Sequence, residues 1–158
     1  MRQTSKVARH KFYNLFQNLK MSPIRSVDDI SAIPYEPGAF IFWIDEATPR
    51  CLFVGIASPK LEYGLYERLS KIIDVKDSKS ELYNHLAKDA KLAREYKIDL
   101  KKAENRERFL HDHLYFQYLP IADMKDDEMK ELEEVLVNES ELNPRYHPNS
   151  TPPPRKGK

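Results

Sequence analysis

Hydrophobic and polar positions along this chain follow two periods. Between residues 5 and 20, Ala8, Phe12, Leu15, Phe16 and Leu19 fall on one stripe at helical spacing, with Lys6, Arg9 and Lys20 mostly off it. That spacing predicts an amphipathic helix, which packs on the domain or pairs with a second subunit. Ser22-Pro23 breaks the pattern, and Pro34 and Pro37 bracket an extended approach to the first strand. Two continuous apolar runs come next, Gly38-Ala39-Phe40-Ile41-Phe42-Trp43-Ile44 and Cys51-Leu52-Phe53-Val54, with a polar, Pro-containing loop between them. Short β-branched and aromatic runs of this kind predict an antiparallel hairpin. Because successive residues are apolar, both faces of the hairpin are expected to be buried. Gly55 closes the second run and marks a place of close backbone approach.

Downstream, Leu65, Leu69 and Ile72 recur at i, i+4 and i+7 in a short helix, and Arg68 lies beside that stripe. Ser78-Lys79-Ser80-Glu81 reads as a capping box opening a helix whose stripe is Leu82, Leu86, Ala93 and Tyr96. Leu100, Ala103, Phe109 and Leu110 give a further helical piece. The run Leu114-Tyr115-Phe116-Gln117-Tyr118-Leu119 predicts a third strand that Pro120 ends. Asp126 and Asp127 suit the first turn of a last helix with Met129, Leu132 and Leu136 as its stripe, and Asn143-Pro144 stops it. The expected fold is α+β: a small three-stranded antiparallel sheet flanked by helices, with an extra N-terminal amphipathic helix. The expected divisions are a basic N-terminal helix and linker over 1–33, a domain over 34–149, and a disordered, Pro-rich, basic tail over 150–158.

Composition narrows the class. A chain of 158 residues that is 41% hydrophobic and 11% aromatic has the composition of one globular domain with tails. Its single cysteine, Cys51, excludes a disulfide framework and favours a reducing setting. No apolar run reaches membrane-spanning length and the N-terminus lacks a signal-peptide core, so the expectation is a cytoplasmic protein without a membrane partner. The net charge of +1 hides an asymmetry. Residues 1–27 and the stretch after Glu141 carry basic residues only, whereas the body between holds all 25 acids against 16 basic residues, a balance of −9. Basic termini either solvate themselves or act as arms that neutralise phosphates.

Candidate chemistry centres on two side chains. Glu133 lies at the edge of the last helix's apolar stripe, and Arg68 holds the matching position on its own helix. With both helices on one sheet, an acid and a guanidinium would flank the end of the hairpin; the plainer alternative is a structural Arg-Glu ion pair. Gly38-Ala39-Phe40 and Phe53-Val54-Gly55, followed by Leu65-Tyr66-Glu67-Arg68-Leu69, Leu132-Glu133-Glu134-Val135-Leu136-Val137 and Asn143-Pro144-Arg145-Tyr146-His147, resemble in order and spacing the motifs of the GIY-YIG nuclease superfamily, of the excinuclease and homing-endonuclease type. The resemblance covers roughly residues 34–149.

It implies a nuclease domain hydrolysing phosphodiester bonds of nucleic acid, DNA first of all. Arg68 would stabilise the scissile phosphate, Glu133 would hold Mg²⁺ or Mn²⁺, Gly38 and Gly55 would line the substrate site, and His147 or Asn149 would stand in for the closing asparagine. The sequence departs from the family at the catalytic tyrosines, which are Phe40 and Phe53 and can neither donate nor accept a proton. Ile56 and Ile72 replace a lysine and a His or Tyr common in relatives. Two functions therefore stand side by side: a divalent-metal-dependent endonuclease, or a catalytically inactive module of the same fold binding nucleic acid through its basic termini, or a protein partner. Tyr63 and Tyr66, near Arg68, are candidates for a replacement hydroxyl, against a plain packing role. His111-Asp112-His113 places two imidazoles at alternate positions entering a strand, a weak metal signal beside the simpler reading of solvated histidines.

Overall fold

A computed structural model describes residues 12–45, 49–74, 77, 80–138, 142 and 144–146. In chain order its elements are α1 (Tyr13–Met21), β1 (Arg25–Ser26), a 3-10 helix (Val27–Ala32), β2 (Gly38–Ile44), β3 (Arg50–Ala57), α2 (Gly64–Ile73), α3 (Glu81–Lys88), α4 (Ala90–Tyr96), α5 (Ala103–His113), β4 (Leu114–Pro120) and α6 (Asp126–Val137). The class is α+β, and every strand pairing is antiparallel. The sheet has four strands in the order β1-β4-β2-β3, one more than the pattern predicts. The added strand is two residues long, Arg25 and Ser26 against Phe116 and Tyr115, too short to carry an alternation signal.

Strand β2 runs through the centre with β3 on one side and β4 on the other, so its apolar run is enclosed on both faces. Phe40, Phe42 and Ile44 point to one face and Ala39 and Ile41 to the other, as strand geometry requires. A bulge beside Phe42 and Trp43 leaves Leu52 unpaired, which is why Leu52 and Phe53 share a face although they are consecutive. The first face is covered by Leu65, Leu69 and Ile72 of α2, Leu82 and Leu86 of α3, and Phe109 and Leu110 of α5. The second is covered by Phe16 and Leu19 of α1 and by Met129, Leu132, Val135 and Leu136 of α6. The result is three layers, helices on either side of one sheet.

Gln117 of β4 secures the second face. It is buried, its Nε2 donates to the carbonyls of Lys20 at 2.8 Å and Ser22 at 2.7 Å, and its Oε1 accepts from the Trp43 indole at 2.8 Å. One amide thereby satisfies the carbonyls at the C-terminal end of α1 and ties that helix to the sheet.

Local departures from the sequence pattern have identifiable causes. The helix expected to run through Leu82, Leu86, Ala93 and Tyr96 is two helices, because Asp89 leaves helical geometry with ψ of 79° and caps α4 by accepting from Leu92 N at 3.0 Å. The N-cap of α3 is Ser80, whose Oγ accepts from Tyr83 N at 3.2 Å and donates to Ile72 O at 2.6 Å. Glu81 is therefore the first helical residue and not the third, which frees its carboxylate for another partner. His111 and His113 end α5 and do not enter a strand; two residues apart on a helix, they diverge. His111 faces Asp28 and Asp112, and His113 faces Asp45. The start of the N-terminal stripe at Ala8, the residues Ser78 and Lys79 and the tail over 150–158 lie outside the described residues.

Candidate functional site

The end of the hairpin that carries Gly38 and Gly55 is assembled from β2, β3, α2 and the first turn of α3. Phe40 and Phe53 are 0% and 1% exposed. Their rings stack at 6.2 Å between centroids, and Phe42 meets Phe40 edge-on at 5.6 Å. Phe40 and Gly55 are partners across β2 and β3, and a Cβ on Gly55 would stand 2.8 Å from Phe40 Cζ. A Cβ on Gly38 would stand 2.2 Å from the Leu119 carbonyl oxygen and 2.8 Å from Leu65 Cδ1. Both glycines are thus required by packing, one under an aromatic ring and one against the neighbouring strand.

Arg68 projects from α2 beside this aromatic group, its Cζ 5.9 Å from the Phe40 ring centroid. Its Nε donates to Ile56 O at 3.2 Å, and its Nη1 forms an ion pair with Glu81 Oε1. The guanidinium is 21% exposed and the carboxylate 10%, so the pair is half sheltered and held in place from both sides. Sequence pattern misses this partner because Glu81 reads as a capping residue of its own helix; Ser80, directly before it, is the competing cap signal.

Glu133 sits on α6, 8% exposed, among Met129, Leu132 and Leu136. That helix covers the sheet face opposite the one covered by α2. No hydrogen bond or ion pair joins Arg68 to Glu133; the partner of Arg68 is Glu81. A hard divalent cation needs several oxygens and retained waters. Among the described residues no three His, Cys, Asp or Glu side chains gather to hold one, and a single carboxylate buried in an apolar stripe does not fit Mg²⁺ or Mn²⁺. Ile72 is 1% exposed within the core beside the aromatic group. Tyr63 and Tyr66 pack with Tyr35, each at 5.2 Å between ring centroids.

The closing segment docks on the edge strand. Arg145 N donates to Cys51 O at 3.1 Å and Tyr146 N to Leu52 O at 2.8 Å. Asp89 then gathers the side chains: Arg145 donates from Nε at 2.6 Å and Nη2 at 2.9 Å, and the Tyr146 hydroxyl donates at 2.6 Å. The Tyr146 ring lies flat on His85 at 4.5 Å. Burial and the Asp89 carboxylate both push the Tyr146 hydroxyl pKa far up, while for Asp89 the donated hydrogen bonds from Arg145 and Tyr146 outweigh burial and hold its pKa well below the carboxylate range. Asp89 carries no sequence signal beyond a residue type suited to capping a helix. His147 and Asn149 lie outside the described residues.

Comparison with protein-family models, with curated proteins and with solved structures finds no match. Among the described residues no helix is long and apolar enough to cross a membrane.

Proposed function

We propose that this chain is a GIY-YIG-type domain whose hydrolytic centre has closed into the core, and that it acts as a nucleic-acid-binding module without nuclease activity. The observation that carries the reading is the pairing of Arg68 with Glu81. An arginine that stabilises a phosphate brings an uncompensated positive charge to the oxyanion. Here the Glu81 carboxylate already balances that charge and, together with the Ile56 carbonyl, takes two of the five N–H donors. The buried phenyl groups of Phe40 and Phe53 support the same reading, since no hydroxyl stands at the positions where the resemblance implies tyrosines. The basic residues of both termini support nucleic acid as the partner.

A nicking assay on supercoiled DNA with Mg²⁺ or Mn²⁺ tests the loss of hydrolysis. The expected result is no cleavage above that of the Arg68→Ala variant, together with binding of DNA that does not depend on Arg68. Metal-dependent cleavage by the parent that disappears in both Arg68→Ala and Glu133→Ala would restore the enzyme.

A further inference from the structure

The helices over the first sheet face leave a cleft of about 740 Å³ where the end of α3, α4 and residues 97–101 meet. This lies at the opposite end of α3 from Glu81 and Arg68. Its floor is apolar, with Leu86, Ala93 and Ile98, and its rim carries Lys88, Arg94, Lys97 and Lys101. All four cations are exposed, and none has an ion pair among the described residues.

Of the two carboxylates in the cleft, only Asp89 is paired with a cation among the described residues. Asp89 is held by Arg145 and Tyr146, and Asp99 accepts from Lys101 N at 3.1 Å. Lys97 stands at the rim as the C-cap of α4, in the left-handed region with φ of 56°. A body with a charge balance of −9 therefore carries a cleft in which four cations face a single carboxylate, Asp99, that no cation pairs among the described residues.

We propose that this cleft binds single-stranded nucleic acid, with successive phosphates on the four cations and a base against the apolar floor. The volume suits a nucleotide-sized body and excludes a duplex, and separate cations on a rim track a chain of phosphates better than a single one. For its ligand class the proposal rests on the functional reading above, but it places the binding surface on the folded body and not on the basic termini. Helix C-termini favour cations for their own stability, so charge alone does not make this a site, and the test needs a matched control.

Fluorescence anisotropy with a short labelled single strand supplies that test. With four phosphates neutralised, raising salt from about 50 to 200 mM is expected to weaken binding about 50-fold. The variant Lys88→Glu, Arg94→Glu, Lys97→Glu, Lys101→Glu is expected to lose binding. A control of equal charge, Lys60→Glu, Lys71→Glu, Lys125→Glu, Lys130→Glu, is expected to keep most of it. The milder pair Arg94→Gln, Lys101→Gln alters two exposed side chains and is expected to lower both affinity and salt dependence if the fourfold variant does not fold. Equal losses in cleft and control variants would overturn the proposal. So would anionic phosphatidylserine vesicles binding through these four cations while the single strand does not bind. Binding that survives the cleft variant and is abolished by neutralising Arg2, Lys6, Arg9 and Lys11 would overturn the cleft and leave the nucleic-acid reading standing. No binding by the parent at low salt would remove both.

Discussion

The two ends of the β2–β3 hairpin each carry a polar group built around one central side chain, and they are built in opposite ways. At the Gly38 and Gly55 end, Arg68 rests against Phe40 and has two acceptors, Glu81 and the Ile56 carbonyl. At the other end the centre is a carboxylate, Asp45, surrounded by donors: Tyr96 Oη, Arg50 Nη2 at 3.3 Å and His113 Nδ1 at 3.3 Å. Arg50 also reaches Glu95 and the Tyr96 oxygen, each at 2.8 Å. The motif-bearing end is sheltered and pairwise; the end without a motif is wetter and shared among five residues. Residues that carry a sequence resemblance can therefore be held in few, paired contacts, while a denser polar network forms where no pattern marks it.

The largest effect that would sharpen this contrast comes from Phe40→Ala. Removing a fully buried ring from the sheltered end should cost about 3 to 5 kcal/mol in urea unfolding. A loss near that of an exposed substitution would show that the end is open after all. Glu81→Ala comes next, at about 2 to 4 kcal/mol, because it leaves the half-sheltered Arg68 guanidinium with only a carbonyl. If Glu81→Ala is instead neutral and the protein gains affinity for inorganic phosphate, Arg68 was available and the pairing is not structural.

The double change Phe40→Tyr, Phe53→Tyr adds two hydroxyls among packed rings, and Phe40 Cζ already lies over Gly55. Each unpartnered hydroxyl is expected to cost about 1 to 3 kcal/mol, with no nicking appearing. A stable double variant that nicks DNA faster than the parent would reverse the assignment of that end. At the wet end Tyr96→Phe should cost about 1 kcal/mol, since water can replace its partners.

The same end supplies a pH signature. Burial raises the Asp45 pKa, but the hydrogen bonds from Tyr96 and Arg50 and the proximity of His113 outweigh it, so the folded value lies below the ordinary one of about 3.9. A depressed folded pKa gives stability that is present above the unfolded value and lost as pH falls through the folded one. The stability gap between the parent and Asp45→Asn should hold near neutral pH and close below about pH 4. A gap that instead widens on acidification would mean that the carboxylate is not stabilised by its donors.

How much of the fold is legible in the sequence depends on the range of each interaction. The hairpin, the strand at Leu114 and the stripes of α1, α2 and α6 depend on periodicity, which local sequence records. The four-residue step from Leu65 to Leu69 places Arg68 correctly beside its helix stripe. What periodicity does not record is which face of a sheet a helix covers, and so Arg68 and Glu133, expected to flank one end of the hairpin, come from helices on opposite faces. Nor does it separate competing local bonds: Ser80 and not Ser78 caps α3, and Asp89 splits a continuous stripe into two helices. Each of those choices is settled by a tertiary partner, Ile72 O for Ser80 and Arg145 for Asp89.

The docking of Arg145 and Tyr146 on Cys51 and Leu52 has a consequence for how copies of this chain behave when crowded. Strand β3 is the outer strand of its sheet, long and apolar, the kind of edge onto which another chain can add a strand. The closing segment occupies carbonyls near one end of it, and Arg68 occupies the Ile56 carbonyl near the other. Together they occupy acceptors at both ends of the template from which edge-to-edge aggregation would grow, a use of Arg68 that needs neither substrate nor metal.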